Sequence, residues 1–535
     1  MIRSSQFKDL KEIEEAVISK AKEFNRSIPE IRFFSLDAEE FISLLEKRVY
    51  PSSPISIWEG KNVVKKRFFS DIGASSGVYY EVVQTGNPSY AYLNENNTLT
   101  TQASVMAHVV GHCEFSELNV MNDSDMDRTE YSIFLAKKIN DSIERMGFTN
   151  YSRYRNACES MIPLVNSNSQ YNLKNSVDSN IREIIAEKKE EKERQFDVDA
   201  YSSTLQILLD PLRNKNIYLE DEISKSRKET IDRKGYKLRA PCQDIFGFLK
   251  NFAPASSNEK QILDYIYFVA KHHHFVMQTQ IMNEGWSMFW EKKIMNELFK
   301  EGVCKDVVDY CRVFSGVCSP RPYFMRNPYH LGYSLWTHIE ELYRKGKVSI
   351  DYIEEQDMEK KENWDLRSDV DPIKKMEHLV RTITDHEFLR RFLTTELIYK
   401  FHLNRLTHRM FKKYGFGREH FHKADEKYIW LDPEFVKNEM LMFFSDYGRP
   451  MIYLIDADFE DGGLLLYHRH KGSDLREDWI GPTLRNINHI WKSPVSIVTG
   501  DKMYKYINSK TQRGDIEPLS FKEIKEKMSD NQKPF

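Results

Sequence analysis

The stretch TLTTQASVMAHVVGH (98–112) holds no proline and a single glycine, and apolar or small residues fill most of its positions. Such a run predicts a helix buried on all sides rather than one with a wet face. Thr98 or Thr100 is its N-cap. Two imidazoles lie inside it. His108 and His112 are four residues apart, which on a helix sets them on one face about one turn apart, near enough to share a metal ion. Histidines so spaced are also common as core or surface groups, so a third ligand is needed.

The segment MNEGWSMFW (282–290) offers one. Glu284 stands among Ile281, Met282, Trp286, Met288, Phe289 and Trp290. Burying a carboxylate there costs several kcal/mol unless it is paired or holds a cation. A salt bridge or a helix cap would also satisfy it. Together His108, His112 and Glu284 resemble the ligands of gluzincin-type metallopeptidases, which take two histidines from one helix and a glutamate from a later one. In several of those families the glutamate lies in an Asn-Glu-Gly context like Asn283-Glu284-Gly285-Trp286. The resemblance implies zinc or another divalent metal in a gluzincin-like body. One position departs from it. The peptidase motif is HExxH, whose glutamate takes a proton from metal-bound water, and here Val109 stands in that place. Either another carboxylate reaches the water, with Glu81, Glu95, Glu114 and Glu117 nearby in sequence, or there is no hydrolysis and either the metal is structural or the site is a relic. The chain thus reads as a metal-dependent hydrolase lacking its usual glutamate, or as no enzyme.

Other candidates are weaker. His272, His273 and His274 are consecutive, so on a helix they point 100° apart and cannot converge on one ion. Asp456 and Asp458 share one face of a strand, as exposed carboxylate pairs ordinarily do. Cys304, Cys311 and Cys318 recur at intervals of seven, but Gly316 and Pro320 interrupt any common helix. The chain has no GxxxxGK[ST], GxGxxG or GxSxG, which argues against an ATPase, a Rossmann dehydrogenase and an α/β-hydrolase.

Outward from these segments the pattern is mainly helical. Residues 1–50 read as two helices, YPSSPISIWEG (50–60) as loop, and VYYEVVQ (78–84) with 90–93 as a hairpin turning at GNPS. Helical spacing returns over 125–165, 243–300, 333–346 and 373–413. AEKKEEKER (186–194) opens a charged connector reaching about residue 240. Near the end, MIYLIDADF (451–459), LLLYHRH (464–470), a helix over 482–492 and VSIVT (495–499) predict a ββαβ unit. The expected class is mainly α with a small C-terminal α+β unit. The expected domains are a helical body over 1–440, the unit over 447–500 and a tail over 501–535.

In 535 residues, 78 Lys and Arg stand against 81 Asp and Glu, a net charge of −3. That excludes a globally basic nucleic-acid binder, though not a local patch, and no nucleic-acid partner is expected. The amphipathic start, the lack of an apolar run of membrane length and six scattered cysteines without a CxxC pair predict a cytoplasmic chain with reduced thiols and no membrane span.

The blocks YYEVVQTGNPSYAYLNENNTLTTQASVMAHVVGH (79–112), QTQIMNEGWSMFW (278–290) and NPYHLGYSLWTHI (327–339) resemble signature blocks of the SpoVR family, the stage V sporulation protein R proteins. YPSSPISIWEGK (50–61), residues 364–394 and YGRPMIYLIDAD (447–458) follow the same order. The resemblance implies a link to the spore cortex or other cell-envelope or stress processes. It also implies two partners, a PrkA-type serine kinase and a von Willebrand-A-like protein. No reaction is assigned to the family, and its HxxxGH block also lacks the peptidase glutamate. This chain differs after His112, where Cys113-Glu114-Phe115 replaces the family's Asn and lysine-containing aromatic stretch, and at the run of three histidines. Two functions follow: a metal-dependent protein, or a non-enzymatic adaptor for those two partners.

Overall fold

The fold is that of a computed structural model, which describes residues 4–37, 81–122, 128–166, 238, 240–321, 327–366, 371–447, 449–460, 462–470, 474–518 and 520–529. The loop expected at 50–60, the strand start at 78–80, the charged block 186–194 with nearly all of its connector, and residues 530–535 lie outside the described residues. The fold is mainly helical, with small sheets. The chain forms two compact units, Met1–Lys138 with Phe275–Gly448, and Ile139–His274 with Arg449–Phe535. This differs from the linear division expected at 440–447, because middle segments pack with the C-terminal sheet.

In the first unit, α1 (Ser4–Glu23) buries Ile13, Val17 and Ala21, one face at helical spacing. Of the second helix expected before residue 50, the span 38–50 lies outside the described residues, and residues 31–36 are not helical. IRFFSL, β-branched and aromatic, instead forms β1 (Ile31–Leu36). It pairs parallel with β3 (Ser89–Asn94), which pairs antiparallel with β2 (Glu81–Gln84) in the expected hairpin. Thr98 accepts a hydrogen bond from the Thr101 amide at 3.1 Å and caps α2 (Leu99–Leu118). Seventeen of the twenty α2 residues are buried, so this helix is the centre of the unit rather than a surface element.

Against α2 lies α3 (Gln280–Lys300), followed by α4 (Val307–Val317) and α5 (Pro328–Arg344), which packs on the other side of α3. Beyond them come α6 (Pro372–Thr382) and α7 (Asp385–Phe392). Trp286 of α3 meets Trp336 of α5 edge to face at 5.1 Å, and Trp336 meets Phe388 of α7 at 4.7 Å. The helical pattern of 373–413 breaks further on, where β4 (Arg405–Thr407), β5 (Phe421–Ala424) and β6 (Tyr428–Leu431) form a second small sheet.

In the second unit, β7 (Ile452–Phe459) and β8 (Gly463–His468) form the expected hairpin. The helix Glu477–Trp491 then leads to β9 (Val495–Thr499), parallel to β8. Residues 501–515 are no tail. β10 (Lys502–Ile507) and β11 (Lys510–Asp515) extend the sheet to five strands. Their turn places Asn508 and Ser509 at φ 50° and 61°, the two left-handed positions of a tight hairpin. Cys242 and Leu454 exchange backbone hydrogen bonds of 2.9 and 2.8 Å, which ties the middle of the chain to β7.

Close helix crossings hold the first unit together. A Cβ on Gly285 of α3 would overlap the Gly332 backbone of α5, and one on Gly332 would overlap the Ile281 carbonyl oxygen. On the other side of α3, a Cβ on Gly111 of α2 would lie 2.5 Å from Ser287 Cα. Backbone cannot yield as a flexible side chain does. Gly285→Ala and Gly332→Ala are therefore each expected to cost about 1–3 kcal/mol or more, seen as a lower midpoint in thermal unfolding. Gly316→Ala, at an α4 position with nothing within 4 Å, is expected to be neutral or to stabilise by up to about 1 kcal/mol.

Candidate metal centre

α2 carries His108 and His112 on one face, ring centroids 4.7 Å apart. α3 runs against that face because Gly111 and Ser287 allow the approach. It delivers Glu284, whose Oε2 lies 3.5 Å from His108 Nε2 and 3.4 Å from His112 Nε2. The three candidate ligand atoms all lie within 4.8 Å of one another, the one such group of His, Cys, Asp or Glu among the described residues. Neither His272 and His274 nor Asp456 and Asp458 form such a group there, and the His273 side chain lies outside the described residues. All six cysteines are free thiols.

The groups behind the ligands fix their chemistry. His108 Nδ1 lies 3.0 Å from Glu291 Oε2, and Ser104 Oγ donates to Glu291 Oε1 at 2.6 Å. A carboxylate oxygen accepts, so Glu291 holds His108 as the tautomer that donates from Nδ1–H and carries its lone pair on Nε2, toward Glu284. His112 Nδ1 lies 2.9 Å from Asn283 Oδ1, also an acceptor, with the same consequence. Two imidazole nitrogens and a carboxylate oxygen thus face one point as acceptors. Glu284 Oε2 is buried and has no hydrogen bond of its own. Burial alone would raise its carboxyl; His112 and His108 beside it, in their protonated, donating form, outweigh that and hold it at about 2, so without a cation between them the three groups pair through protons rather than as bare acceptors. The side chains of His108, His112 and Glu284 are 6, 12 and 18% exposed, so the point is nearly dry.

The start of α3 is anchored from outside the helix. Asp385, fully buried at the start of α7, accepts from the Ile281 and Met282 amides at 2.8 and 2.9 Å. This caps the turn that carries Asn283 and Glu284. Burial, with Glu284 nearby, pushes the Asp385 carboxyl up to about 8 despite these two donors. Trp336 donates to the Met282 carbonyl at 3.0 Å, a further tie on the same turn.

Of the carboxylates nearest in sequence, Glu114 is committed elsewhere. It accepts from Arg26 at 3.1 Å and from Trp286 Nε1 at 2.9 Å. Glu95 and Glu117 make no hydrogen bond to either imidazole among the described residues, and the Glu81 side chain lies outside them. Asn283, an expected neighbour, is in place. Glu291 and Ser104 are not evident from the histidine and glutamate motifs, although spacing carries a signal for both. Glu291 is seven residues, two turns, beyond Glu284, and Ser104 is one turn before His108. Tyr329, at the start of α5, places its ring 6.0 Å from that of His108.

Glu291→Gln keeps the side chain's size but removes the charge that polarises His108. Outer-shell changes of this kind typically cost 10–100-fold in metal affinity. Competition of the variant against a chromophoric chelator for zinc is expected to show a loss of about that size. Unchanged affinity would deny Glu291 this role.

A family model described as "SpoVR like protein" matches residues 4–429. A protein of Escherichia coli (strain K12) named "Uncharacterized protein YcgB" is 30% identical over 279 residues, covering 50% of this chain and 51% of that one. The match thus spans about half the length of that relative. No solved structure matches the chain. No helix among the described residues is long and apolar enough to cross a membrane. The family match runs from α1 through α7 and includes His108, His112, Glu284 and Glu291, and on that span the chain belongs to the SpoVR family.

Proposed function

We propose that the chain binds one zinc ion, or another divalent metal of similar coordination, through His108 Nε2, His112 Nε2 and Glu284 Oε2. The observation that carries this reading is the convergence of three acceptor atoms, with Glu284 Oε2 at 3.4 and 3.5 Å from the two nitrogens. Ligands about 2.0–2.1 Å from a tetrahedral zinc stand about 3.3–3.4 Å apart. The donor set, two imidazole nitrogens and one carboxylate oxygen, suits zinc better than magnesium, which prefers oxygen ligands. Three protein ligands leave a fourth position, where zinc supplies Lewis acidity.

The chemistry is not that of an HExxH peptidase. Val109 is fully buried and has no group to move a proton, and Glu291 is held by Ser104 and His108. We place the chain in the cytoplasm, as a zinc-binding member of its family acting in envelope or stress processes. A second reading, favoured by Val109, makes the metal structural and the chain an adaptor for a PrkA-type kinase and a von Willebrand-A-like protein. Partner capture that survives His108→Ala but depends on residues 447–535 would favour the adaptor.

Elemental analysis of purified protein is expected to give one zinc per chain, and less than about a tenth of that for Glu284→Ala or the His108→Ala, His112→Ala double variant. Ligation needs neutral imidazoles. Protons therefore compete, and occupancy is expected to fall as pH drops below about 6. Equal zinc in wild type and Glu284→Ala would overturn the assignment.

A further inference from the structure

Residues 399–430 differ in charge from the rest of the chain. They hold eight Lys and Arg against three Asp and Glu, a local excess of five positive charges where the whole chain is at −3. Much of this stretch forms the sheet β4-β6-β5. On β6, Ile429 and Leu431 are buried, while Tyr428 and Trp430 occupy the opposite, half-exposed face. The register places Arg405 of β4 and Lys423 of β5 on either side of Trp430. Arg405 lies 4.4 Å from the centre of the Tyr428 ring, and Lys423 lies 5.2 Å from both the Trp430 and Tyr399 rings. Cations and aromatic rings therefore alternate across one small sheet face.

We propose that this face binds single-stranded nucleic acid. Phosphates would meet Lys423 and Lys427, while unstacked bases would lie on Trp430 and on the outer plane of the Arg405 guanidinium, whose inner plane covers Tyr428. A single strand offers both charges and π faces. An acidic peptide would use the cations and leave the rings idle, and a duplex keeps its bases stacked inside. The chain's overall acidity does not bear on this, since the binding term is local and set by the few phosphates neutralised. The inference is independent of the metal centre.

The test uses the full chain and fluorescein-labelled oligodeoxythymidylate and oligouridylate of about 15 nucleotides, read by anisotropy at about 50 mM salt. Binding is expected in the micromolar range and should weaken steeply as salt rises. Lys423→Glu, on an exposed side chain, should weaken it about tenfold. Trp430→Ala should also weaken it about tenfold or more, and Trp430→Phe should keep most of it. Far-ultraviolet circular dichroism checks that each variant is folded. No anisotropy change at about 100 µM protein would overturn the proposal. So would equal binding of a duplex. Displacement by polyglutamate as effective as by unlabelled strand, with Trp430→Ala unchanged, would mean that the face reads charge alone and takes an acidic protein.

Discussion

Two imidazoles and a carboxylate turned toward one nearly dry point need positive charge between them, which either protons on the rings or the proposed metal can supply. Much of the first unit serves to hold that arrangement. Glu291 and Asn283 accept hydrogen bonds from the Nδ1–H groups of His108 and His112, and so turn the Nε2 atoms toward Glu284. Both outer partners ride on α3 with Glu284, so one helix sets the third ligand and orients the other two. Small errors in how α3 lies on α2 would displace all three effects together.

That dependence explains the glycines beside the ligands. Gly111 precedes His112 and lets α3 come against α2, while Gly285 follows Glu284 and lets α5 come against α3. The blocks HVVGH, NEGW and HLGY are thus helix crossings as much as they are ligand motifs. Asp385 and Trp336 finish the work by tying down the first turn of α3, where the chain would otherwise fray.

The central helix and the C-terminal hairpin were legible because each rests on local pattern, as was the meeting of the His108, His112 and Glu284 side chains. The apolar run of 98–112 predicts burial, i, i+4 spacing predicts a shared face, and β-branched alternation predicts strands. What was not legible depends on distant partners. IRFFSL becomes a strand because Ser89–Asn94 lies beside it, and the regrouping of the units follows from pairings such as Cys242 with Leu454, far apart in sequence. The β10–β11 turn uses Asn-Ser where Asn-Gly would have announced it. Glu291 lies one residue past the apolar block that drew attention to Glu284. Its spacing fits the ligand face, but nothing local distinguishes it from a solvated glutamate.

The chemistry is narrowed as much by Val109 as by the ligands. A buried valine in the usual position of the base leaves the proposed metal a Lewis-acid or a structural role. The most direct measurement is X-ray absorption at the zinc edge on protein stripped of metal and reloaded with one equivalent. The account predicts a four-coordinate nitrogen and oxygen shell at about 2.0–2.1 Å with multiple scattering from two imidazoles, and loss of that signature in Glu284→Ala. Zinc that stays in bulk solution, or a shell with sulfur or without imidazole, would contradict it.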